Sequence, residues 1–279
     1  MLKQRIITAV IAAPLIVLAF IYCPPQWLVL LFVVFVVLGT REMAKMLGDR
    51  LEALMGAGGG SHPHMVWVST AAVVLAVLMF LGATMTTAGL AVLPFGIMVC
   101  ILLGCFLAPD NDVAFGRLVT LVISVCYGVF PWLAIWELYE MGPNGRYVIL
   151  LMVVVFMGDT GAYFGGSFFG KRKLAPRMSP KKTMEGAVAG LLASLLGACL
   201  MNLMYGFTLG AWHVLILAGL AGGAFGQMGD LVESTFKRFA GVKDSGKIFP
   251  GHGGFLDRVD GIYFAAPVIW AVLFAFGVP

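Results

Sequence analysis

Charge is scarce in these 279 residues: Asp, Glu, Lys and Arg make up 11%, against 61% hydrophobic residues, and mean hydropathy is +0.98. That leaves too little polar surface to cover a soluble globule of this length, which excludes a water-soluble domain and implies an integral membrane protein. Only four histidines occur, and the five cysteines (Cys23, Cys100, Cys105, Cys126, Cys199) lie within or beside apolar runs with no CxxC and no paired histidine. The pattern argues against metal or disulfide chemistry and for cysteines acting as small buried hydrophobes. No internal repeat or inverted duplication is visible, which weighs against a secondary transporter. No RNA- or DNA-binding module is present either. Met1-Leu2-Lys3-Gln4-Arg5 before an apolar run has the form of a secretory signal, but no small-x-small cleavage site precedes Pro24, so an uncleaved first span is expected.

What is present is apolar sequence in long runs. A bilayer crossing takes about 20 residues, and nine stretches qualify, roughly 6–22, 26–44, 65–87, 89–108, 117–138, 147–168, 184–206, 211–232 and 260–278. Only Pro24-Pro25 separates the first pair, and only a short stretch from Thr86 to Gly89 separates the third from the fourth. The fold class expected is all-α, a polytopic integral membrane protein with about nine transmembrane helices. With the N-terminus inside, all of the 18 Lys and Arg residues except Arg146 fall in or beside inner connections. This is a strong positive-inside bias, and it supports an odd number of spans. The pI near 8.8 then reflects orientation and an anionic partner at the inner face.

The polar residues divide the chain at about residue 145. Residues 1–145 are chemically quiet, with a Gly56-Ala57-Gly58-Gly59-Gly60 tract that reads as a flexible loop, and are expected to be mainly structural. Residues 146–279 carry the chemistry. Asp159 stands in an apolar span among glycines. A carboxylate at that depth calls for a wet cavity or a cation, and the glycines permit close approach of another backbone or a ligand. Next comes the basic run from Gly170 to Gly186. Orientation alone accounts for basic residues there, yet Ser179-Pro180-Lys181-Lys182-Thr183 leads directly into a Gly-rich span, so hydroxyls, cations and helix N-terminal N–H groups converge where an anion can bind.

Residues 234–260 are denser still, with five cations, three carboxylates, His252 and the adjacent Gly253 and Gly254. Asp230 and Ser234 are spaced i,i+4, as are Glu233 and Lys237, so each pair shares a helix face. Asp257 and Asp260 are spaced i,i+3 at the start of the last span. Asp230, Asp257 and Asp260 thus suit one hard cation, while salt bridges with Arg258, Lys237 and Lys243 are the competing arrangement. Pro250-Gly251-His252-Gly253-Gly254 reads as a turn whose backbone N–H groups, with His252, can cradle phosphate.

The whole pattern, Ser234-x-x-Lys237-Arg238, then Lys243-Asp244, then His252-Gly253-Gly254-x-x-Asp257-Arg258-x-Asp260, resembles the signature of the phosphatidate cytidylyltransferases, the CDP-diacylglycerol synthases. Ser179 to Gly186 also resembles that family's Ser-Pro-Lys-Lys-Thr-Trp-Glu-Gly, with Met184 where Trp is common. The resemblance implies CTP and phosphatidate as substrates, CDP-diacylglycerol and pyrophosphate as products, and magnesium as cofactor, a second cation being left open. It implies that Asp230, Asp257 and Asp260 hold the metal and that Lys237, Arg238, Lys243 and Arg258 neutralise triphosphate. Asp159, Ser179, Lys181, Lys182 and Thr183 would line the substrate entry with Ser234, His252, Gly253 and Gly254, and Glu185 and Asp244 would orient the cations. The site is expected at the cytoplasmic face of a bacterial inner membrane, among membrane lipids. A homodimer is the assembly entertained. The competing functions are a CTP-dependent kinase of polyprenol or phytol type and, from a different class, a transporter of an anionic solute.

Overall fold

The computed structural model describes residues 14–54, 63–85, 94–99, 101–102, 111–248 and 253–278. Seven long helices run through them: α1 (Pro25–Leu54), α2 (Pro63–Met85), α3 (Asn111–Glu140), α4 (Arg146–Phe169), α5 (Met184–Met204), α6 (Trp212–Ala240) and α7 (Leu256–Ala275). Six helical segments among the described residues are long and apolar enough to cross a membrane, and a shorter apolar helix covers Val68–Thr84. The chain is therefore an all-α polytopic membrane protein. Of the runs expected at 6–22 and 89–108, residues 14–22, 94–99 and 101–102 are helical, and the rest lies outside the described residues, as does the glycine tract after Met55.

The polar ends of several helices run past the apolar stretches that announced them. α1 continues beyond residue 44 through Lys45 and Arg50, α6 continues beyond 232 through Lys237 and Arg238, and α7 begins at Leu256 rather than 260. Hydropathy marks where a helix leaves the hydrocarbon, whereas backbone hydrogen bonding continues into the polar boundary. These extensions carry Ser234, Lys237, Arg238, Asp257 and Arg258. Pro131 in α3 and Pro267 in α7 sit inside helices, as membrane helices tolerate when neighbours meet the freed backbone groups.

The chain forms two compact units that cut across the division at residue 145. One comprises 1–23, 134–235 and 258–279; the other comprises 24–133 and 236–257.

In the first unit, small residues let helices approach closely. On α4, Gly158, Gly161 and Gly165 face Ser194, Ala193 and Ala189 of α5, and Ser194 Oγ donates to Val154 O at 2.9 Å. A Cβ on Gly190 would stand 2.9 Å from Gly158 O. The glycines beside Asp159 thus admit another helix's backbone, one of the two close approaches expected there. Asn144 and Gly145, both at positive φ, turn the chain from α3 into α4. Between α4 and α5 the expected basic loop is instead an antiparallel hairpin of β1 (Lys173–Ala175) and β2 (Ser179–Thr183), with Lys173 opposite Thr183.

The second unit has an aromatic core. Phe32 packs against Phe80 and Trp132, and Phe35 against Trp132 and Phe255. Among the described cysteines Cys23 is exposed, contrary to the burial expected, and Cys126 and Cys199 are half-buried; all three are free thiols. Cys23 lies at the break between two helices, where the apolar sequence is not matched by packing.

Candidate active site

In the first unit the candidate residues gather around Asp230. Thr183 ends β2 in extended conformation and caps α5, its Oγ1 accepting from Gly186 N–H at 3.2 Å. Successive residues of a strand point to opposite faces, so Lys181 and Lys182 diverge: Lys181 is exposed and Lys182 turns inward. Lys182 Nζ lies 2.7 Å from Asp230 Oδ2 and donates to Gln227 O at 3.3 Å. Gln227 in turn donates to Ala187 O at 3.1 Å, tying α6 to α5. Ser234 Oγ donates to Asp230 Oδ1 at 3.3 Å, the helix-face pairing expected from their spacing.

Asp159 on α4 is exposed and lies within electrostatic reach of Asp260, Asp230 and Lys182. Asp260 is half-buried, and its Oδ1 accepts from Gly261 N–H at 2.8 Å. Three carboxylates from three helices and one lysine from the hairpin thus share a neighbourhood, which suits a ligand carrying both metal and phosphate. Glu185 accepts from the backbone N–H groups of Lys171 and Arg172 at 3.0 and 3.2 Å, so it shapes the chain entering the hairpin. Ser179 is half-buried at the start of β2, Met184 is 46% exposed, and Arg258 is exposed.

In the second unit the centre is Asp257. Its Oδ1 pairs with Lys237 Nζ at 2.7 Å. Its Oδ2 accepts from Ser245 N–H at 2.8 Å, Gly254 N–H at 2.8 Å and Ser245 Oγ at 3.0 Å. Here the salt bridge that competed with metal binding in the sequence is the arrangement present. Gly253, with φ of 81°, could not carry a side chain without striking the Asp257 carboxylate. Of the N–H groups expected to cradle phosphate, that of Gly254 is taken by Asp257, and the two that follow it, of Phe255 and Leu256, are held by Glu42. Arg238, Lys243 and Asp244 are exposed, and His252 lies outside the described residues. Among the described residues no three His, Cys, Asp or Glu side chains form a group able to hold a metal by themselves.

Sequence reasoning missed Glu42, Ser245 and Gln227. An ionisable residue inside the apolar run of α1 was the available signal for Glu42, and Gln227 between Gly226 and Met228 was the corresponding signal in α6. Ser245 had none, since a serine in a polar loop is commonplace.

A phosphatidate cytidylyltransferase of Staphylococcus saprophyticus is 41% identical over 169 residues, covering 61% of this chain and 64% of the relative. One from Staphylococcus haemolyticus is 48% identical over 124 residues, 44% of this chain and 47% of the relative. One from Staphylococcus aureus is 43% identical over 148 residues, 53% and 56% respectively. The matched region spans about half to two-thirds of the length of these curated relatives. The family model described as the cytidylyltransferase family matches residues 3–276, nearly the whole sequence, and the chain belongs to that family.

Proposed function

We propose that this protein transfers the cytidylyl group of CTP to phosphatidate, giving CDP-diacylglycerol and pyrophosphate, at the cytoplasmic face of a bacterial plasma membrane. The observation that carries the reading is the Lys182–Asp230 pair, which joins the Ser-Pro-Lys-Lys-Thr hairpin to the helix that leads into the second motif. Membership of the cytidylyltransferase family and relatives named phosphatidate cytidylyltransferase support the same substrates.

A phosphate oxygen of phosphatidate attacks the α-phosphorus of CTP in line. The bond from that phosphorus to the α,β-bridging oxygen breaks, and pyrophosphate leaves with the electron pair. A phosphate monoester is largely dianionic near neutral pH, so no general base is needed. The difficulty is bringing two polyanions together, which cationic side chains and positioning relieve. Among the first unit's cations Lys182 is held by Asp230, and Lys181 and Arg258 are exposed; among the second unit's, Lys237 is held by Asp257, and Arg238 and Lys243 are exposed.

Asp230 and Asp260, with Asp159 in reach, have the hard oxygen donors that magnesium takes, one or two carboxylates with substrate oxygens and water completing its shell. When bound, such a cation would neutralise charge on the phosphate oxygens. Asp257, engaged on both oxygens, serves this reading chiefly by orienting Lys237.

The test is CTP labelled in the base, given to the purified protein in detergent with phosphatidate. Label in the lipid product supports cytidylyl transfer. Label in free CDP with a newly phosphorylated lipid indicates a kinase, and flux into sealed vesicles without chemistry indicates a transporter.

A further inference from the structure

One carboxylate in the half of the chain expected to be quiet is bound into the second unit, a single hydroxyl away from Asp257. Glu42 of α1 is 7% exposed. Its Oε1 accepts from Phe255 N–H at 2.9 Å and its Oε2 from Leu256 N–H at 3.0 Å, so it caps the start of α7 from another helix. Ser245 Oγ lies 2.9 Å from Glu42 Oε2 and 3.0 Å from Asp257 Oδ2, bridging the two carboxylates. A buried carboxylate is costly unless donors surround it, and here two backbone N–H groups do, together with a hydroxyl whose single proton is shared with Asp257.

The surroundings leave little slack. A Cβ on Gly246 or Gly254 would run into the Glu42 carboxylate. Phe255, whose N–H Glu42 holds, is stacked on Phe35 and Trp132 with ring centroids 5.2 and 6.1 Å apart. Asp257 follows Leu256 by one residue, so a shift at Leu256 carries Asp257 with it and loosens its grip on Lys237.

We infer that Glu42 is a positioning residue for the reaction: from α1 it fixes the start of α7 and, through Ser245, aims Asp257 and hence Lys237. This rests on the cytidylyl-transfer reading. Glu42 touches no substrate in this role. A brace with no such role would change stability and leave kcat intact, whereas displacement of a reacting group by about 1 Å can cost a hundredfold.

The test uses the full chain purified in detergent, with E42Q, E42D, S245A and the E42Q/S245A double variant, reading kcat, KM for CTP and the unfolding midpoint. Glutamine is nearly isosteric but, however it rotates, turns an NH2 group toward one of the donors. E42Q is expected to lose at least about tenfold in kcat with KM for CTP moved less than about threefold, and E42D to recover part of the loss. The double variant should fall no more than about twofold below E42Q, because both changes break one relay. Unchanged kcat in folded E42Q, or multiplicative losses in the double variant, overturns the inference. Should E42Q not fold, S245A decides, since it leaves Glu42 on its two backbone donors: full kcat in S245A overturns the inference. If the wild-type chain makes no CDP-lipid, the functional reading fails on its own. Amide hydrogen exchange then judges the relay, which requires faster exchange at Gly254 in S245A than in wild type, and equal rates overturn it.

Discussion

Lys237 Nζ lies 2.7 Å from Asp257 Oδ1, across twenty residues that include the whole polar connection between α6 and α7. The side chains are 14% and 10% exposed, so this ion pair is shielded from most of the screening that weakens surface pairs. Asp257 also takes three hydrogen bonds on its other oxygen. The pair thus holds a cation near the end of α6 firmly against the start of α7.

Asp257→Asn keeps the size of the side chain and removes the charge that holds Lys237. Transition-state stabilisation worth roughly 3 kcal/mol or more should be lost, about a hundredfold in kcat. Because one partner of a half-buried pair remains, the unfolding midpoint should fall as well. Steady-state CDP-lipid formation and thermal unfolding measure the two effects. A variant that keeps more than about half its activity would confine Asp257 to a structural role.

The hairpin separates two lysines that the sequence presents as equals. Lys182 is bound to Asp230 and Gln227, while Lys181 is exposed on the opposite strand face. Lys182→Gln removes charge-assisted contacts of about 1.5 to 3 kcal/mol, so kcat/KM should fall at least tenfold. Lys181→Gln should fall less, and Lys45→Gln, exposed on α1, should not fall. Equal losses at Lys45 and Lys182 would mean that the cations act only through a general surface field.

How far the site was legible depended on whether its contacts are local. Thr183 before Met184, with Glu185 following, reads as a helix start and is one. The Asp230 and Ser234 contact follows from helix spacing alone. The hairpin of Lys173–Ala175 and Ser179–Thr183 was not legible, because Pro180 and a run of cations read as loop, and the pairing depends on register rather than on apolar alternation. Glu42 was hidden for another reason. Its partners Phe255 and Leu256 stand 213 and 214 residues away, and no local pattern encodes that separation.

Magnesium dependence is the third prediction. Two carboxylates, Asp230 and Asp260, with Asp159 in electrostatic reach, are expected to need a divalent cation before a triphosphate and a phosphate monoester can be accommodated together. Activity should vanish with excess EDTA and return with added magnesium. Full turnover under chelation would remove the cation from the mechanism.

The packing of α4 on α5 sets a prediction about stability that is independent of the chemistry. A Cβ on Gly161 would meet the Ala193 methyl and stand 2.9 Å from Ala189 O, whereas one on Gly226 comes no nearer than 3.4 Å to Gly261 O. Gly161→Val should destabilise by about 1–3 kcal/mol through overpacking, and Gly226→Ala should be tolerated. Thermal unfolding in detergent compares them. Equal midpoints would show that the two helices can part without cost.

Orientation can be tested without any reference to catalysis. The hairpin between α4 and α5 and the connection between α6 and α7 are separated by two membrane-capable helices, so both should lie on one side of the membrane. The excess of Lys and Arg in these connections predicts that this side is the cytoplasm. In a chain freed of its own cysteines, Lys173→Cys and Lys247→Cys, both exposed positions, should react with an impermeant thiol reagent only after the inner face is opened. A reporter fused after Pro279, one further helix along, should lie outside. A hairpin and a loop labelled from opposite sides would mean that α5 or α6 does not cross, and the residues of β2 and α6 could not then serve one cytoplasmic site.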